Sequence, residues 1–134
     1  MDIFLLKRAF EKTGAQFNAH FVMDGQAAVD YLLGADEFAN RDRYPLPSLI
    51  VLDLKMPRLN GLDVLKWLKA QPDLHAMPVV MFSSSDDDRD VMRAYSLGAS
   101  SYLMKPTDLD RLSELVISVD RYWREFCKLP NTRN

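Results

Sequence analysis

The stretch "LIVLDLKMPRLNGLDVL", residues 49–65, changes character twice. Leu49 to Asp53 is apolar without alternation and ends on a carboxylate. That pattern predicts a parallel strand covered on both faces. "MPRLNG" then concentrates proline, asparagine and glycine, which marks a turn. Leu62, Leu65 and Leu68 recur at helical spacing until Pro72 ends the run. Strand, turn and helix follow one another within about twenty residues, the signature of a crossover unit.

The same unit repeats outward. "PVVMFS" (78–83) and "SSYLM" (100–104) read as two further buried strands, the latter broken by Lys105-Pro106. Between them, "SSDDDRD" leads into a helix carrying Val91, Met92, Tyr95 and Leu97, ended by Gly98. A long final helix places Leu109, Leu112, Val116, Val119, Trp123 and Phe126 on one apolar stripe and stops before Pro130. Toward the N-terminus, Ile3, Leu6 and Phe10 predict a helix, with Asp2 as its cap or first-turn acid. Phe17, Ala19, Phe21 and Met23 alternate with polar residues, which predicts a strand closed by an Asp24-Gly25 turn. Residues 26–33 form a short helix closed by Gly34, and "ADEFANRDRYPLPS" is an exposed loop. One helix followed by four strand–helix pairs builds a parallel sheet with helices on both faces.

The totals agree. A chain of 134 residues that is 48% hydrophobic fits one domain with a real core. A formal charge of -2 offers no basic stripe for nucleic acid. The single Cys127 leaves no internal disulfide, no apolar run is long enough for a membrane span, and no signal peptide is visible. A cytoplasmic protein is expected.

In open parallel sheets ligands sit beyond the carboxyl ends of the strands. That rule selects Asp53 after the first buried strand, Ser83 and Ser84 after the second, and Lys105 after the third. An acid, a hydroxyl and an ammonium suit phosphoryl transfer. The carboxylate serves as nucleophile and the lysine offsets phosphoryl charge. Asp53 and the backbone carbonyl of Lys55 are oxygen donors of the kind Mg²⁺ takes. Asp86, Asp87 and Asp88 read more simply as acids at a helix start. His20 and His75 show no ligand spacing and read as surface residues.

"LIVLDLKMPRLNGLDVL", "PVVMFSSS" and "SYLMKP", in this order and spacing and with "DG" upstream, resemble the receiver domains of two-component response regulators. The resemblance runs from Asp2 to about Leu129, with residues 130–134 as a tail. The loop before Pro45 and "RYWREFCKLP" look like the single-domain regulators that partner phytochrome-type histidine kinases. The resemblance implies a flavodoxin-like (CheY-like) doubly wound sheet and a signalling role without enzymatic activity. It implies Asp53 as phosphoacceptor, Lys105 on the phosphoryl group, and Ser83 as the switch hydroxyl, with Ser84 its competitor. Tyr102 would be the aromatic switch, Lys105-Pro106 a cis peptide, and Mg²⁺ the cofactor. The implied partner is a sensor histidine kinase or phosphotransfer protein, and the aromatic C-terminal helix allows a homodimer.

The chain departs from that family at its start. The usual first strand and its metal-binding acidic pair do not precede "MDIFLLKRAF". In the order 2-1-3-4-5 that strand is central. A poorly stable sheet is therefore expected unless the second strand moves to pair with "LIVLD" or another chain fills the gap. Two explanations stand: a truncated sequence, favoured because the rest of the site is intact, or a variant with weakened or lost Mg²⁺ binding. In the second case the chain would be an interaction module independent of phosphorylation.

Overall fold

The computed structural model describes residues 3–14, 18–56 and 58–130. They divide into two compact units, one within residues 22–104 that holds the sheet, the other drawn from residues 3–21 and 105–129.

In the sheet unit, strands β1 (Ile50–Asp53), β2 (Val79–Ser83) and β3 (Ser101–Met104) form a parallel sheet in the order β1-β2-β3. The register pairs Asp53 with Phe82 and Ser83 with Met104. Central β2 is buried throughout, as its continuous apolar run requires. β1 and β3 are less covered than expected: Val51 is 45% and Met104 46% exposed. Both strands are edges among the described residues, so each lacks a neighbour on one side. Helices α2 (Gly25–Leu33), α3 (Gly61–Lys69) and α4 (Asp88–Ser96) fall where the apolar spacing put them. Leu65, Leu68, Met77, Val79 and Met81 are fully buried at the centre of the core.

Of the strand expected over Phe17–Met23, the described residues 18–23 form none. Phe17 lies outside the described residues, and residues 18–22 join no ladder. Alternation alone does not hold a strand that no neighbouring strand pairs with. The side chains tell the same story. Val22 packs on the core while Met23 is 69% exposed, the reverse of the expected alternation. Phe21 instead meets Phe10 edge-on, with ring centroids 5.9 Å apart.

The segment read as an exposed loop is partly built. A 3-10 turn spans Asp36–Ala39, and the rings of Tyr31, Phe38 and Tyr44 pack with centroids 5.1–5.9 Å apart. Arg41 closes the C-terminus of α2, donating to the carbonyls of Tyr31 at 2.8 Å and Leu32 at 3.0 Å. The Gly34 amide also donates to the Tyr31 carbonyl, at 3.1 Å, so the last carbonyls of the helix are capped from two sides.

In the helical unit, α1 (Ile3–Thr13) packs on α5 (Leu109–Asp120), with Ala9, Leu112 and Val116 buried. Asp2, expected as cap, lies outside the described residues. The last helix does not carry its apolar stripe to the end. After Asp120 the backbone widens to a π-helical segment, Arg121–Phe126, and Phe126 is 70% exposed. The wider winding rotates successive residues off the α-helical stripe. Ser113 of α5 has a buried hydroxyl without a hydrogen-bond partner among the described residues. A buried hydroxyl in that condition costs about 1–3 kcal/mol. Ser113→Ala is therefore expected to leave stability unchanged or raise it by about 1 kcal/mol, read as a higher urea midpoint at constant slope.

Candidate functional site

Asp53 is the last residue of β1, and Ser83 the last of the neighbouring β2. Asp53 is 8% exposed and Ser83 2%. The sheet thus brings a carboxylate and a hydroxyl to adjacent strand ends, as the strand-end rule expects. Asp53 accepts a hydrogen bond on Oδ1 from the Lys55 amide at 3.1 Å. Ser83 Oγ accepts from the Ser85 amide at 3.0 Å, whereas Ser84 is exposed. Between the two candidate hydroxyls, Ser83 is the one buried at the strand end.

Two close backbone approaches shape the turn between β1 and α3. A Cβ on Gly61 would lie 2.2 Å from the carbonyl oxygen of Asp53, and the Gly61 amide donates to the Leu54 carbonyl at 3.0 Å. A Cβ on Gly25 would lie 2.0 Å from the Leu59 carbonyl oxygen. Asn60 caps α3 and shares a reciprocal capping box with Asp63. Arg58, within the turn, adopts φ 66°.

Asp24 is a helix cap as well as a turn residue. Its Oδ1 accepts from the Ala27 amide at 2.8 Å, and Gly25 is the first residue of α2. Its Oδ2 takes the Arg58 guanidinium. The Ala27 amide first, and Arg58 second, hold the Asp24 carboxyl below its ordinary range. Neither Arg58 nor this use of Asp24 was expected from the sequence. The cap was readable, since an Asp directly before an apolar helical run is a start signal. The ion pair spans 34 positions and left no local trace.

Tyr102 donates its hydroxyl to the Ser85 carbonyl at 2.8 Å, and its own amide donates to the Tyr95 hydroxyl at 3.1 Å. The ring therefore bridges β3 to the loop that follows Ser83. Asp87 caps α4, accepting from the Arg89 amide at 2.9 Å, which bears out the helix-start reading of that acidic run. His20 and His75 are exposed.

Lys105 and Pro106 follow β3 in the chain and belong to the helical unit. The expected cis peptide between them is corrected: no cis bond occurs among the described residues. Trans is the intrinsically favoured form even before proline, by about 0.5–1 kcal/mol.

Asp53 and the Lys55 carbonyl are hard oxygen donors. Mg²⁺ takes one or two carboxylates and completes its shell with water and phosphate oxygens, so this donor set fits it. Among the described residues, no group of three or more His, Cys, Asp or Glu side chains is placed to hold a metal. No described helix is long and apolar enough to cross a membrane.

Comparison with known proteins supplies the remaining findings. The family described as "Response regulator receiver domain" matches residues 3–117. The probable methanogenesis regulatory protein FilR2 of Methanothrix harundinacea is 37% identical over 126 residues, covering 94% of this chain and 79% of that protein. The response regulator Rcp1 of Synechocystis is 37% identical over 107 residues, 80% of this chain and 71% of Rcp1. The crystal structure of Rcp1 in its Mn²⁺-bound form superposes with a TM-score of 0.83 at 32% identity, covering 97% of this chain and 91% of that one. The response regulator RPA3017, from red light signalling in R. palustris, superposes with a TM-score of 0.90 at 32% identity, again over 97% and 91%. The expected flavodoxin-like α/β class is borne out by these superpositions.

Proposed function

We propose, from the premise that this chain belongs to the response regulator receiver domain family, that Asp53 is its phosphoacceptor and a histidine kinase of the phytochrome type its donor. The observation that carries the reading is the buried Asp53 carboxylate at the end of β1, beside the buried Ser83 hydroxyl at the end of β2. A carboxylate oxygen of Asp53 attacks the phosphorus of a phosphohistidine. The P–N bond breaks as the P–O bond forms, and the imidazole leaves with the electron pair and takes up a proton. The product is an acyl phosphate on Asp53.

Three groups would serve this step. The Lys55 amide, already on Asp53 Oδ1, fixes which oxygen is presented. Ser83, whose oxygen accepts from the Ser85 amide, would donate its hydroxyl hydrogen to a phosphoryl oxygen. Lys105 would offset phosphoryl charge, the part a positioned ammonium plays in such transfers. Bound Mg²⁺ would be held by Asp53 and the Lys55 carbonyl and would neutralise charge developing on the phosphoryl oxygens. Tyr102 would couple Ser83 to the surface through its bond to Ser85, so that phosphorylation alters partner binding. The phytochrome-type partner rests on the likeness to the cyanobacterial phytochrome response regulator RcpA, whose phosphorylated form superposes with a TM-score of 0.86 at 32% identity over 97% of this chain and 91% of that one. A cytoplasmic setting and a purely signalling, non-enzymatic role follow from the same reading.

The test is phosphoryl uptake from acetyl phosphate and from a phytochrome-type kinase, with Mg²⁺ present. Asp53→Asn is expected to abolish labelling. Ser83→Ala is expected to slow it by about 10–100-fold, the scale on which a misplaced or missing positioning group acts, while Ser84→Ala leaves it unchanged. Full labelling of Asp53→Asn with the same hydroxylamine-sensitive linkage would remove the acceptor assignment.

A further inference from the structure

The turn that follows Asp53 is held at both ends. At one end, Gly61 lies against the Asp53 carbonyl and its amide bonds to Leu54. At the other, Gly25 lies against the Leu59 carbonyl, and Arg58 reaches the Asp24 carboxylate, whose other oxygen caps α2. Arg58 adopts φ 66°, a conformation costly for a side chain with a Cβ. A glycine or asparagine would sit there with less strain. From that conformation its guanidinium reaches the Asp24 carboxylate. We infer that the Asp24–Arg58 pair is a positioning clamp: it fixes Arg58 and Leu59, between β1 and α3, on the N-terminus of α2 and thereby holds the Lys55 amide on the Asp53 carboxylate.

Asp24 and Arg58 touch no reacting atom and act through Lys55. The clamp has an economy that a cap alone lacks. One carboxylate divides its oxygens between a helix start and a turn, so the position of α2 and that of the acceptor turn are set together. The Arg58 side chain is 65% exposed and that of Asp24 15%. An exposed pair of this kind adds little to global stability, so its effect is local. The consequence for phosphoryl transfer rests on the acceptor assignment above; the mechanical claim does not.

Amide hydrogen exchange on the full chain tests the clamp. Arg58→Asn removes the guanidinium and keeps a residue that tolerates positive φ. Asp24→Asn keeps a capping oxygen and removes the charge. In each variant the Lys55 and Gly61 amides are expected to exchange about three- to tenfold faster, with the β2 amides of Val79–Phe82 unchanged. The double variant is expected to match the singles, because the two residues act as one unit. Arg58→Lys, which restores a cation, is expected to recover part of the protection. Wild-type exchange at Lys55 and Gly61 in both single variants would overturn the clamp, as would equal acceleration across β2. Acetyl phosphate labelling then reads the consequence, with uptake expected to fall by the same factor as protection. A wild-type chain that takes no label would refute the acceptor assignment, and the exchange result would still decide the clamp.

Discussion

Leu65→Ala is expected to lower the free energy of unfolding by about 2–5 kcal/mol, read as a fall in urea midpoint without a change in slope. Leu65 is 0% exposed and belongs to the central apolar cluster with Leu52, Leu68, Val79 and Met81. Removing its branched end loses the transfer free energy of the buried methyl groups and leaves a void. The cluster it belongs to includes Leu52, Val79 and Met81 on two hydrogen-bonded strands and Leu68 on the same helix, so collapse into the void is limited. The expected loss lies in the upper part of the range for that reason. Domains of this size carry a net stability of about 5–15 kcal/mol, so the variant loses a large part of it and melts early. A loss below 1 kcal/mol would mean that the 61–69 helix is far less firmly docked than its burial indicates.

What could be read from the sequence was what depends on local pattern. "LIVLD" and "PVVMFS" are strands because a continuous apolar run bounded by turn residues has few other uses. Asp53 and Ser83 were legible because strand ends in a parallel sheet carry the chemistry. The failures share a cause: they depend on partners distant in sequence. The alternation at 17–23 looked like a strand, yet no ladder among the described residues receives it. Arg41 reads as a loop charge until its guanidinium is seen on the last carbonyls of α2. Phe126 fits an α-helical stripe by arithmetic, and the π-helical winding before it invalidates the arithmetic. The glycines at 25 and 61 have the same character. Their positions within "DG" and "NG" suggest turns, but the atoms that forbid a Cβ belong to Leu59 and Asp53.

Gly61→Ala is expected to damage stability and chemistry together, and the comparison with Leu65→Ala separates the two. The new Cβ would lie 2.2 Å from the Asp53 carbonyl oxygen, 2.9 Å from its carbonyl carbon and 3.1 Å from the Leu54 Cα. All three are backbone atoms, so no side-chain rotation relieves the clash. Either α3 moves away from β1 or the end of β1 moves. Overpacking of this kind costs about 1–3 kcal/mol and occasionally more. The Gly61 amide bond to Leu54 would lengthen, and with it the turn that holds Lys55 would shift. An acceptor displaced by about 1 Å loses on the order of 100-fold in rate. Labelling from acetyl phosphate is therefore expected to fall by about 10–100-fold at temperatures where the variant is fully folded by circular dichroism. Leu65→Ala is expected to lose as much stability or more, yet to label at the wild-type rate below its melting transition, since it leaves the bonds of Lys55 and Gly61 in place. If both variants slow labelling equally, the rate follows overall looseness. If only Gly61→Ala does, it follows the position of the Asp53 backbone, as the lack of room for a Cβ between Gly61 and the strand end requires.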